Sequence, residues 1–127
     1  MKHLKIVSLG LLLAMALIAC KKDSEPAEFT MAGKWTGKIG NGYEQPSGSF
    51  ALNVKSNGTI ERISSNGEVS ATGTWMLEGD EFWALYTYSN GTIVNAEGTV
   101  DKGQQKLTGI WENSGGEEGT FYATRNN

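Results

Sequence analysis

The chain has 127 residues, with 11 Lys+Arg against 14 Asp+Glu, a formal net charge of −3, one histidine and one cysteine. That balance excludes the basic footprint a nucleic-acid partner requires and gives no electrostatic grip on anionic lipid, while a lone cysteine excludes an intramolecular disulfide. Seventeen glycines without a strict period and only two prolines point to one domain rich in tight turns rather than to a disordered tract.

The N-terminus carries Lys2, His3 and Lys5, followed by the uncharged run Ile6 to Ile18, "IVSLGLLLAMALI". A membrane-spanning helix needs about 20 apolar residues. This run is shorter, follows a basic start and ends at the small residue Ala19, which is the pattern of a secretory signal peptide over residues 1–19. Leu17, Ile18, Ala19 and Cys20 follow in order an aliphatic, a variable and a small residue and then cysteine, and the segment resembles the lipobox of bacterial lipoproteins. The resemblance implies that the Cys20 thiol receives a diacylglycerol, that cleavage falls just before it, and that acyl chains hold the mature protein in the bacterial outer membrane. Two acyl chains anchor stably where one is marginal, at about 0.8 kcal/mol per buried CH₂.

Cleavage removes Lys2 and Lys5 and takes the side-chain charge to about −5. Residues 20–31 open with "CKKDSEPAE", have no periodic apolar face and read as a flexible tether. The lysine–acid cluster after Cys20 also resembles export tags that carry lipoproteins to the cell surface in one Gram-negative phylum. A surface-exposed and a periplasm-facing domain both stay open.

From residue 32 to 127 the pattern is alternation and turns, with no helical period. Asn-Gly recurs at 41–42, 57–58, 66–67 and 90–91, the pair that type I′ hairpin turns favour because both central residues need positive φ. Eight strands are expected, near 33–39, 48–55, 59–64, 69–77, 81–88, 92–100, 105–112 and 118–125. Turns every ten residues or so predict an all-β, antiparallel, eight-stranded up-and-down meander closed into a barrel, since closure removes edges that would invite aggregation. A small β-sandwich is the alternative.

Gly33-Lys34-Trp35, Gly73-Thr74-Trp75 and Gly109-Ile110-Trp111 echo one another, and Gly-x-Trp places both residues on one strand face. With Arg125 in the last strand, these residues resemble the calycin group, the lipocalins and their small relatives. The resemblance implies a barrel end closed by Gly33 and Trp35 with Arg125 packed over the indole, and a barrel that takes a small ligand. Classical lipocalins are longer, carry a terminal helix and often have disulfides; this chain departs from them on each count.

Register follows for one hairpin. A turn at Gly79-Asp80 opposes Leu77 to Phe82, Trp75 to Ala84 and Gly73 to Tyr86, so Trp75, Leu77, Phe82, Ala84, Tyr86 and Tyr88 face inward. Met76, Trp83 and Leu85 then form an outer apolar patch of the kind that marks contacts. The next hairpin is ambiguous. A two-residue turn at Asn90-Gly91 sends Asn95 and Glu97 inward, a polar-lined pocket; a one-residue slip sends Val94, Ala96, Gly98 and Val100 inward instead. Candidate ligand contacts are therefore Trp75, Tyr86, Tyr88, Asn95, Glu97 and Trp111, in an interior partly filled by aromatics with a shallow mouth.

Residues 20–127 contain no histidine and only Cys20, so histidine-based catalysis and zinc sites have no residues to work with. Glu78, Asp80 and Glu81 cluster at a turn without calcium-loop spacing. No catalytic residue, metal site or cofactor is expected. Two functional readings stand: an anchored barrel that binds a small apolar or aromatic ligand, and an accessory subunit contacting protein or glycan with no internal ligand. Replacing Cys20 by serine is expected to move the protein from the membrane to the soluble fraction; full membrane retention of Cys20→Ser would refute the lipid anchor.

Overall fold

Period-two alternation of apolar and polar residues gives each strand one inward and one outward face. In the computed structural model, which describes residues 29–126, eight strands use that alternation: β1 (Gly33–Asn41), β2 (Gly48–Val54), β3 (Thr59–Ile63), β4 (Val69–Glu78), β5 (Glu81–Tyr88), β6 (Ile93–Asp101), β7 (Lys106–Asn113) and β8 (Glu118–Arg125). Their ends fall within two residues of those expected from the sequence. The signal segment, Cys20 and the tether as far as residue 28 lie outside the described residues. Each strand pairs antiparallel with the next, and β1 closes on β8 from Trp35↔Arg125 to Asn41↔Gly119. The result is a closed up-and-down barrel; a two-sheet sandwich is excluded.

The inward positions form one core. Trp35, Phe50, Leu52, Val54, Ile60, Phe82, Ala84, Tyr86, Ala96, Val100, Leu107, Phe121 and Ala123 are all buried. Outward positions carry charge, among them Lys38, Glu97 and Glu112. This is the reverse of a transmembrane barrel, whose outer band is apolar.

The turns differ from expectation in a uniform way. At three of the four Asn-Gly pairs, 57–58, 66–67 and 90–91, a three-residue loop replaces the two-residue type I′ turn, while Asn41-Gly42 opens the longer β1–β2 connection. After β5, Gly91 N–H donates to the Tyr88 carbonyl and Tyr88 N–H to the Thr92 carbonyl, each at 2.9 Å. The same pair of bonds closes the loops at 56–58, 65–67 and 114–116. Gly91 has φ +93°, while its neighbour Asn90 is not left-handed, which is the type I turn with a glycine bulge. The asparagine contributes through its side chain instead. Asn90 Oδ1 accepts from Thr92 N–H at 2.9 Å, and Asn57 and Asn66 do the same for Thr59 and Glu68 at 3.1 and 3.0 Å. The β4–β5 turn keeps the expected two residues, with Glu78 opposite Glu81.

The extra loop residue after β5 resolves the register. Tyr86 opposes Val94, Ala84 opposes Ala96 and Phe82 opposes Gly98. Asn95 and Glu97 therefore point outward and are exposed, and the polar-lined interior that their inward placement would have made does not form.

Inward glycines allow the strands to bend around so small a barrel. At Gly109, opposite Gly98, a Cβ would lie 2.0 Å from the Glu97 carbonyl oxygen, and at Gly73, opposite Tyr86, 1.8 Å from that of Leu85. No side chain fits where the neighbouring backbone already stands. Gly109→Ala is expected to cost about 3 kcal/mol or more, or to prevent folding, whereas Gly115→Ala, in the loop after β7, should cost less than about 1 kcal/mol. Urea titration of both variants checks the contrast; equal midpoints would contradict it.

Candidate functional site

One end of the barrel is sealed. Trp35 is fully buried there and donates its Nε1–H to the Met31 carbonyl at 3.0 Å. Phe29 packs edge-on against the indole at 6.5 Å. Arg125, paired with Trp35, donates from Nη2 to the Ala32 carbonyl at 2.7 Å and from Nη1 to Gln105 at 3.3 Å. Gly33 stands against this arginine, where a Cβ would lie 2.8 Å from Nε. Gly33, Trp35 and Arg125 thus meet at this end. The packed domain begins earlier than expected, since Phe29 and Met31, assigned to the tether, belong to this floor. Trp75 joins the same end, stacked on Phe82 at 6.4 Å with its Nε1–H on the Lys55 carbonyl at 2.8 Å.

The opposite end is open. A cavity of about 370 Å³ lies among Ile39, Tyr86, Tyr88, Val94 and Trp111, with Glu44, Ser47 and Thr92 at its rim. Its volume is in the range of small-molecule pockets. Trp111 is held by its Nε1–H to the Gly40 carbonyl at 3.0 Å. Tyr86 and Tyr88 meet edge to face at 6.0 Å. Burial of Tyr86 raises its phenol well above the ordinary range, Tyr88 adding to the shift and the Arg62 charge opposing it.

Of the six ligand candidates, the mouth gathers Tyr86, Tyr88 and Trp111. Trp75 lies at the sealed end. Asn95 and Glu97 border a different hollow of about 290 Å³ on the outside of the barrel, with Tyr43, Ile110 and Glu112; Trp111 borders both. The outer patch is present and wider than expected: Met76 opposes Trp83, Trp83 opposes Glu97 and Glu97 opposes Ile110, with Met76, Ile110 and Leu85 exposed.

Sequence reasoning missed Arg62. It lies opposite Leu52 on one side and Ala71 on the other, both buried, so it faces inward. Its guanidinium covers the Phe50 ring at 4.8 Å. The signal was in the strand itself, because Arg62 stands two residues from the inward Ile60.

The sequence matches no protein-family model and no curated protein. Solved structures of the same fold do match. A redesigned β-barrel, b11L5F_LGL, is similar with a TM-score of 0.57 at 18% identity, over 76% of this chain and 92% of that one. A second redesigned barrel, mFAP1, solved bound to DFHBI, gives a TM-score of 0.52 at 20% identity, over 75% of this chain and 94% of that one. At such identity the likeness is one of fold.

The Tyr86 shift sets an alkaline limit. In the unfolded chain the phenol ionises near its ordinary value, roughly pH 10, whereas the folded protein keeps it protonated. Above that pH the unfolded state releases the extra proton and stability falls. Chemical denaturation between about pH 9 and pH 11 should show a loss that Tyr86→Phe reduces; an unchanged pH profile in Tyr86→Phe would count against the assignment.

Proposed function

We propose that this chain is a non-catalytic, lipid-anchored protein of the bacterial outer membrane whose lipocalin-like barrel binds a small apolar or aromatic ligand in its mouth. The observation that carries the reading is the contrast between the two ends, a floor sealed by Trp35 and Arg125 and an aromatic-lined cavity of about 370 Å³ opposite. Cavities that set polar groups among aromatic and apolar walls are the usual ligand sites of such barrels, and here Asn41, Glu44, Ser47, Thr92 and Asn113 share the lining with the aromatics. That a barrel of this fold, mFAP1, holds DFHBI supports the use of the architecture for a small molecule. The anchor rests on Leu17-Ile18-Ala19-Cys20. The chain enters at the floor through Phe29 and Met31, at the end opposite the mouth.

The accessory reading draws on the outer row Met76–Trp83–Glu97–Ile110, and it differs in needing no cavity. The neutral probe 2-naphthalenemethanol, titrated into the purified protein by calorimetry, is expected to bind with one site, and Thr92→Trp, which puts an indole across the rim, is expected to weaken it at least tenfold. Binding that is absent, or indifferent to Thr92→Trp, would remove the mouth as the site.

A further inference from the structure

Arg125 at the floor and Arg62 nearer the mouth are the two charged side chains on the inward face of the described strands. Arg62, Ala71 and Tyr88 lie in one row across β3, β4 and β5, and Tyr88 lines the mouth. The small Ala71 stands between the two in the row, and the Arg62 charge acts on Tyr86, which also lines the mouth. Arg62 reaches back over Phe50 and donates from Nη1 to the Ile63 carbonyl at 2.9 Å and from Nη2 to the Ser49 carbonyl at 3.3 Å. Ser49 adjoins Gly48, which lines the cavity. Arg62 is not itself among the residues that line the cavity; its guanidinium stands just behind them, next to Tyr86, oriented by two main-chain oxygens.

Its charge is not balanced. Among the described residues the ion pairs are Lys55–Glu61 and Lys102–Asp80, and no carboxylate reaches Arg62. Its Nε–H is buried with no acceptor. Leaving a buried donor unmatched and a half-buried cation without a counter-ion is costly, and a leucine or valine in this row would avoid both costs. The one carboxylate lining the mouth, Glu44, is an exposed rim residue, where water screens it.

We propose that Arg62 is the charge-selecting residue of the mouth, and that the ligand is a small aromatic or apolar molecule carrying a single anionic group, of carboxylate type. This rests on the ligand-binding reading above and names the class of ligand. The apolar body lies among Tyr86, Tyr88, Val94 and Trp111, and the acid accepts from the guanidinium, whose planar fork suits a carboxylate.

The test compares two probes of one shape, 2-naphthoate and neutral 2-naphthalenemethanol, titrated into the full-length protein and into Arg62→Gln and Arg62→Lys. Arg62→Gln keeps a side-chain donor, and Arg62→Lys keeps the charge if loss of the Phe50 contact unfolds the glutamine variant. Wild type is expected to bind the acid at least tenfold more tightly than the alcohol, the excess shrinking as salt rises. Arg62→Gln should abolish the excess, so that acid and alcohol bind the variant with equal affinity; Arg62→Lys should keep part of the preference. Equal affinities in wild type, or a preference that survives Arg62→Gln, overturn the charge-selecting role and leave the mouth as a neutral aromatic site. Failure of both probes to bind overturns the ligand-binding reading itself, and this proposal with it.

Discussion

Backbone-to-backbone approach at the inward glycines is the constraint on which the rest of the molecule depends. Eight strands of five to ten residues must curl through a full turn around a core only one or two side chains across. Where Gly73 and Gly109 stand, the neighbouring carbonyl occupies the space of a Cβ, so the strands bend inward and the sheet meets itself at β1 and β8. The large residue two positions on, Trp75 or Trp111, then turns toward an end of the barrel. Closure leaves no unpaired edge. It also makes register a property of the whole ring, since a slip in one hairpin would have to be absorbed around the circumference.

This coupling explains how far the sequence could be read. Strand number, order and limits were legible because alternation and Asn-Gly pairs mark them directly. The Gly79-Asp80 hairpin was legible to the residue because large faced small across it. The hairpin after Tyr88 was not: Asn90-Gly91 fits a two-residue and a three-residue loop equally well, and the two put opposite faces inside. What decides is Gly91 alone in the left-handed region, with Asn90 spending its side chain on the Thr92 amide. The floor was legible from Gly33, Trp35 and Arg125, but its last layer was not, because Phe29 and Met31 precede the first strand and show no period. The inward face of Trp75 was legible from the Gly79-Asp80 hairpin, but not the end of the barrel it reaches, which the Lys55 carbonyl fixes at the floor. Arg62 went unnoticed for another reason: a charged residue in a short strand reads as solvent-facing, although Ile60 had already fixed the face.

Two inward arginines divide the interior between them. Arg125 is absorbed into the floor, its Nη atoms donating to Ala32 and Gln105 while its Nε–H, like that of Arg62, has no acceptor. Arg62 is held from behind by Ile63 and Ser49. One locks an end shut; the other leaves positive charge beside an aromatic hollow.

Both ends of the described chain converge on the sealed side. Asn126 N–H bonds to the Lys34 carbonyl at 2.8 Å and its side chain meets Thr36 at 3.0 Å, close to where Phe29 leads in. A fluorescent protein or affinity tag joined after Asn126 would emerge beside the floor, with the whole height of the barrel between it and the rim formed by Glu44, Ser47 and Thr92. Labels at that terminus suit pull-down work, because they leave the other pole clear.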